Sequence, residues 1–367
     1  MTKERLDYLD ALRGWSILFV IAFHVSFPAG GEFPKILEDG ARGVEFFYML
    51  SAYTLFYVLD QKQAAEAHWV RNFFIRRFFR IAPMFYFAIA IAVLQRAQWS
   101  VTSLFEQGVD PVQLLTVMSF VNGFSPKYIN SLLHVEWSVA IEMMFYAFVP
   151  LLYKLIKKTE SAAYFSLICL VLGYQAYFSL ICLVLGYQLT AHFSRHPIAD
   201  MPEWRGFMYF WLPNHLAPFG FGVLTYFITR SGISSGLSRP MLWFALYLVL
   251  CFLKSHDIAG IPHHTLYVFP FALVILGLSA RSSSILVNRY SIYLGRVSFS
   301  AYLLHSIIWP IINGQITVDT PVFRYWILFP LTLLLTALAS TVTYRLIELR
   351  GMELGRRLII WLETRRL

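Results

Sequence analysis

A chain of 367 residues that is 58% hydrophobic and only 14% charged is not an ordinary soluble globule. Apolar blocks long enough to cross a bilayer recur from end to end with short polar intervals between them. The formal net charge of +9 would suggest nucleic acid in a soluble chain, but here the basic residues fall between the apolar blocks, which excludes a nucleic-acid partner and leaves a polytopic all-α membrane protein.

Ten transmembrane helices are predicted, at roughly 9–29, 43–60, 80–97, 132–153, 162–188, 207–228, 240–254, 264–280, 292–312 and 322–345. With a cytoplasmic N-terminus, the segments on that side hold 22 of the 30 Lys and Arg and the opposite side holds 8. That bias supports an even helix count with both termini inside, and odd counts scramble it. No cleavable signal peptide is evident, because the first apolar block follows "KERLDYLD" and lacks a small-residue cleavage site. The expectation is one integral-membrane domain over residues 1–367, multi-pass in the inner (cytoplasmic) membrane with the lipid bilayer around it.

The first helix, "LDALRGWSILFVIAFHVSF", keeps three ionisable groups: Asp10, Arg13 and His24. Arg13 and His24 are eleven residues apart. On an α-helix they differ by about 20° and lie about 16 Å apart along one face. The second block, "GVEFFYMLSAYTL", carries Glu45 and Ser51. At the cytoplasmic mouth of the third, "RRFFRIAPMFYF" holds Arg76, Arg77 and Arg80, with Arg77 and Arg80 on one face at i and i+3. Guanidinium forks suit phosphate oxygens, so Arg13, Arg77 and Arg80 are candidates for holding a nucleotide-like donor. The alternative is anchoring to anionic lipid, which is preferred for Arg76.

The interval 98–131 contains "PVQLLTVMSFVNGF", an amphipathic stretch expected on the outer surface. The fourth helix follows with "LLHVEWSVAIEMMFY", which places Glu142 about 15 Å from its outer end. Next, "AYFSLICLVLGYQ" occurs identically at 163–175 and 176–188. One copy rises about 20 Å and the two together about 39 Å, so a single long or tilted helix is expected. Cys169, Cys182 and Cys251 all fall in apolar blocks and read as small buried hydrophobes, with neither a disulfide nor a metal set predicted. In the ninth helix, "VSFSAYLLHSIIWP" sets His305 about 13 Å from the cytoplasmic end. His24, at about 16 Å, and Glu142 reach the same middle slab.

Ionisable groups at that depth are costly and usually face a partner or a wet cavity. Two imidazoles and a carboxylate there suit general acid–base chemistry, with packed-helix hydrogen bonding as the alternative.

These segments together resemble the acyltransferase-3 family of integral membrane acyltransferases. The spacing of Arg13 and His24 is similar to that family's first helix, "GVEFFYMLSAYTL" to its G-V-D-x-F-F-x-x-S-G-F segment, "RRFFRIAP" to R-x-x-R-x-x-P, and "WSVAIEMMFY" to W-S-L-x-x-E-x-x-F-Y. Later, "LGRVSFSAYLLH" is similar to G-x-x-S-Y-x-x-Y-L-x-H, and "YRLIELRGMELGRRL" to the closing Y-x-x-I-E-x-P. The resemblance implies a ten-helix domain that moves an acyl group, commonly acetyl, from cytoplasmic acyl-coenzyme A to a hydroxyl, often on a bacterial surface polysaccharide. It implies functional roles for Arg13, His24, Arg77, Arg80 and Glu142, and supports one for His305.

Three departures stand out: Glu45 replaces the usual Asp, "SAY" at 51–53 replaces Ser-Gly-Phe, and Arg350 and Gly351 stand where a proline is expected. The last helix is therefore expected to end differently. No hydrolase-like domain follows, so any extracellular relay is expected to be absent or supplied by another protein.

The combined expectation is that acyl-coenzyme A docks, as co-substrate and not as a bound cofactor, at the cytoplasmic arginines. His24 takes the proton from the attacking hydroxyl while Glu142 orients or charges the imidazole. Direct transfer and a two-step route through acyl-His24 both fit. Ser51, Trp137 and Tyr146 shape the cavity or donate to the oxyanion, or simply pack. The acceptor expected is a polysaccharide or lipid-linked glycan, with a lipid or secreted small molecule second. A proton-coupled transporter is the rival class, though no inverted pair of broken helices is visible.

Overall fold

The computed structural model describes residues 4–29, 35–96, 110–174, 207, 209–254 and 263–364, and no strand occurs among them. In chain order α1 is Glu4–Ala29, α2 Lys35–Glu38, α3 Gly43–Lys62, α4 Trp69–Arg96, α5 Pro111–Met118, α6 Glu136–Leu155 and α7 Thr159–Tyr174. There follow α8 Leu216–Ser231, α9 Ser238–Lys254, α10 His263–Leu266, α11 Val268–Ala280, α12 Arg289–Arg296, α13 Ser298–Asn313, α14 Pro321–Thr343 and α15 Leu349–Thr364.

Five spans among the described residues are long and apolar enough to cross a bilayer: Asp7–Phe27, Trp69–Arg96, Glu136–Leu155, Ser235–Leu253 and Pro321–Thr364. Residues 163–174 of the first copy of the repeat form most of α7, while its last residue and the second copy, with Cys182, lie outside the described residues.

Three boundaries differ from the sequence expectation. α4 starts at Trp69 rather than near residue 80, so the basic run "RNFFIRRFFR" is itself helical. Charge ends the apolar pattern there without ending the helix, because arginines are good helix formers and carboxylates meet them. The ninth helix is two, since the chain leaves helical geometry at Val297 between α12 and α13. The last helix does not stop near residue 345: a π turn over Tyr344–Glu348 carries α14 into α15. With glycine at 351 instead of a ring, the helix runs on, and there the α15 backbone presses on α4, where a Cβ would lie 2.7 Å from the Phe79 carbonyl oxygen.

The chain gathers into two units. The first takes Met1–Gly43, Val58–Asp110 and Ile285–Leu367. Its α1 buries Leu9, Leu12, Ile17, Val20, Ile21 and Val25 over more than half of its circumference and packs on α12 and α14. The crossing with α12 is backbone on backbone, for a Cβ on Gly14 would lie 2.0 Å from the Ser291 carbonyl oxygen and one on Gly295 1.7 Å from that of Asp10. Asn72, fully buried in α4, donates to Glu363 at 2.6 Å and so fastens α15.

The second unit takes Val44–Tyr57 and Pro111–Ser284. Its core is aromatic: Phe145 stacks on Phe219 at 4.0 Å and Phe46 on Phe271 at 4.3 Å. The amphipathic stretch is a short helix, α5, with Val112 and Leu115 exposed. The N-terminus of α6 is prepared by Glu136, whose buried carboxylate accepts the N–H groups of Leu132 (2.6 Å), Leu133 (3.0 Å) and Val135 (3.1 Å), and that of Ser131. His134, at φ 62, bends the chain so that these donors converge.

Candidate active site

In the first unit the structure brings His24 and His305 together, their ring centroids 4.8 Å apart and their planes at 66°. Their backbones sit on separate helices, α1 and α13, so the depth counted along each sequence element is realised as an edge-to-face pair. Each ring is held by its own helix. His24 Nδ1 lies 2.8 Å from the Val20 carbonyl oxygen and His305 Nδ1 3.2 Å from that of Ala301. A carbonyl only accepts, so both Nδ1 atoms carry the hydrogen, and in each neutral ring Nε2 keeps its lone pair. His305 is fully buried, and its Nε2 meets no hydrogen-bond partner among the described residues. Such a pair can take a proton at Nε2 and pass or share it, which is the chemistry of a general base.

The basic end of this unit is an ion-paired mouth. Arg13 donates to Asp10 at 2.9 Å, and Arg296 approaches Asp10 at 3.8 Å and Asp7 at 3.7 Å. Arg76 meets both oxygens of Glu66 at 2.9 Å. Arg80 is paired with Glu348, the last residue of the π turn, whose fully buried carboxylate also accepts from the Ser300 hydroxyl and, at 3.0 Å, from the Ser300 N–H. Glu348 thus ties α4 to the first turn of the helix that carries His305. Arg77 lies half-buried on α4.

In the second unit Glu142 accepts from the Ser51 hydroxyl and from the Tyr146 hydroxyl, each at 2.5 Å, and the two hydroxyls lie 3.1 Å apart. The ring packed on His24 is therefore that of His305, while the hydrogen bonds to Glu142 come from Ser51 and Tyr146. Glu45 has a companion that sequence reading missed: His215, fully buried, with Nδ1 3.9 Å from Glu45 Oε1 and Nε2–H donating to the Tyr209 carbonyl at 3.1 Å. Trp137 packs over His215 at 5.2 Å and on Phe210 at 4.4 Å. Glu348, Ser300 and His215 escaped notice as site residues because their partners are far off in sequence. The one local signal was the Glu in "YRLIELR".

Helices that bury imidazoles and carboxylates while exposing leucine and phenylalanine define a polytopic membrane protein with a chemically equipped interior. The chain belongs to the acyltransferase-3 family: the family model described as an acyltransferase domain matches residues 6–345. It is similar to the O-acetyltransferase OatA of Staphylococcus aureus, 23% identical over 372 residues, which covers 94% of this chain and 56% of that protein. It is also similar to the peptidoglycan O-acetyltransferase OatA of Listeria monocytogenes, 27% identical over 157 residues, covering 41% of this chain and 24% of that protein. The chain spans about half the length of the Staphylococcus relative. No solved structure matches.

Proposed function

We propose that this protein is a membrane O-acyltransferase that moves an acyl group, acetyl in the first instance, from cytoplasmic acyl-coenzyme A to a hydroxyl of a cell-surface polysaccharide or its lipid-linked precursor. The observation that carries the reading is the His24–His305 pair, two Nδ1-tethered imidazoles 4.8 Å apart in the helices of a family acyltransferase domain. The similarity to O-acetyltransferases supports acetyl as the group and a surface glycan as the acceptor.

In this reading the protein is a bundle of about ten transmembrane helices in the inner membrane, with both termini cytoplasmic. The phosphates of the donor bind at Arg13, Arg77 and Arg80, displacing Asp10 from Arg13 and Glu348 from Arg80. His24 Nε2 takes the proton of the acceptor hydroxyl, and the oxygen attacks the thioester carbonyl. The C–S bond breaks, and the thiolate leaves with the proton from the imidazolium as free coenzyme A. His305, packed against His24, keeps that ring in place and shares the charge. The route through acyl-His24 uses the same residues in two steps. Ser51, Glu142 and Tyr146 form a hydroxyl-ordering trio in the second unit.

The test is acyl-coenzyme A binding and turnover by the purified full chain beside His24→Ala and Arg13→Ala. His24→Ala is expected to bind donor and lose about 10²-fold or more in turnover, and Arg13→Ala to raise the donor KM. Full turnover by His24→Ala removes it from proton transfer, and absence of donor binding by the unaltered protein favours transport instead. Mass analysis of surface glycans with and without the protein identifies the acceptor.

A further inference from the structure

Glu142 lies within the span Glu136–Leu155, and no cation pairs with it among the described residues. A carboxylate in such a segment is costly and is kept where something polar meets it. What meets it here are two hydroxyls, those of Ser51 and Tyr146, and both sit on one oxygen, Oε1, at 2.5 Å. That is the length of an O–H···O bond onto a carboxylate anion, so each hydroxyl gives its single proton to Glu142. The 3.1 Å approach of Ser51 Oγ to Tyr146 Oη then has no proton between the two oxygens. Ser51 comes from α3 and Tyr146 from one turn further along α6, so two helices hold the carboxylate and fix where its other oxygen stands.

That other oxygen, Oε2, has no hydrogen-bond partner among the described residues. It is not sealed in, for Glu142 and Ser51 are only half-buried, whereas His305 is fully enclosed. Glu142 Oε2 and the lone pairs of Ser51 Oγ can each take a hydrogen, and the Ser51 and Tyr146 hydroxyls have none left to give. This removes one role that the sequence allowed, because a hydroxyl whose proton is held by a carboxylate does not donate to an oxyanion. It also selects the ligand. A phosphate or carboxylate brings more lone pairs and more negative charge, while a hydroxyl brings the proton that is missing. A sugar ring carries hydroxyls on adjacent carbons, so one can meet Oε2 and the next Ser51 Oγ.

We propose that Ser51, Glu142 and Tyr146 form a subsite for neutral sugar hydroxyls. Glu142 Oε2 and Ser51 Oγ accept O–H groups of the acceptor other than the one that is acylated, Tyr146 positions the carboxylate, and an anionic sugar is turned away. The assignment rests on a glycan being the acceptor.

The test uses the full chain in lipid nanodiscs, so that no sugar-headed detergent competes. The probes are methyl glucoside, methyl galactoside, methyl N-acetylglucosaminide and methyl glucuronoside, followed by saturation-transfer NMR. At least one neutral glycoside is expected to bind and the glucuronoside not. Glu142→Gln keeps the shape and sets an N–H₂ group at the open position. It is expected to weaken the neutral glycoside about tenfold and to admit the glucuronoside. Ser51→Ala is expected to weaken the neutral glycoside without admitting the glucuronoside, and Ser51→Thr to restore it. Absence of neutral glycoside binding, equal binding of the glucuronoside by the unaltered protein, or unchanged binding in Glu142→Gln overturns the subsite. Displacement of the glycoside by methylammonium overturns it in favour of a cation site. If Glu142→Gln does not fold, the neutral-against-anionic comparison on the unaltered protein decides. Acyl-coenzyme A turnover is followed on the same nanodiscs. Glycoside binding by a protein that turns over no acyl-coenzyme A overturns the acyltransferase reading, and turnover without glycoside binding overturns the subsite alone.

Discussion

The tautomers of His24 and His305 follow from what their Nδ1 atoms touch, and that leaves Nε2 as the nitrogen able to accept a proton. A ring whose Nδ1–H is spent on a backbone carbonyl has one basic site left, and two such rings packed edge to face act as one unit. His24→Ala and His305→Ala are therefore expected to be non-additive: each alone removes most of the turnover, and the double variant is no worse than the poorer single one. A double variant whose loss equals the product of the two singles would separate their roles. The common depth of these two residues was legible by counting along each helix. The partners of the arginines were not. Arg80 finds its carboxylate 268 residues away, at Glu348, and no spacing rule links two residues across so much chain. Glu142 was legible as an acid within an apolar helix, and the structure leaves it half-buried, but its partners Ser51 and Tyr146 were readable only as neighbours of motifs.

Among the elements, hydropathy pointed to each of the five long apolar spans among the described residues, and chemistry at their ends decided where they stop. The start of α4 at Trp69 and the break at Val297 both lay outside what an apolar run can show, since the first depends on ion pairs such as Arg76 with Glu66 and the second on how α12 meets α1. That meeting is tight enough to test. At Gly295 a single methyl group would overlap the Asp10 carbonyl oxygen, so Gly295→Ala has to push α12 off α1. The expected cost is about 3 kcal/mol, at the upper end for an overpacked site, read as a drop in the thermal unfolding midpoint in detergent. A variant as stable as the parent would show that α1 and α12 can part freely. The run-on of α14 into α15 was half legible: the missing proline signalled that the end was unusual, while the π turn that makes Glu348 face Arg80 was not encoded in any local pattern.

For the whole molecule, the proposed mechanism needs the arginine end on the cytoplasmic side, and the distribution of basic residues predicts that orientation. Reporter tags at the two termini are both expected on the cytoplasmic side, and a tag in the 98–131 interval on the opposite side. Protease accessibility in inside-out and right-side-out vesicles checks this, and termini on opposite sides would put the arginine mouth and the donor in different compartments. The first unit is assembled from three separate stretches of chain, with α1 at one end and α13 to α15 at the other. A ribosome delivers His24 early and His305 some 280 residues afterwards, which at ordinary elongation rates is about half a minute. The imidazole pair and the carboxylate that neutralises Arg80 both wait for that last stretch, so a nascent or truncated chain carries His24 without its partner ring and Arg80 without its counter-ion.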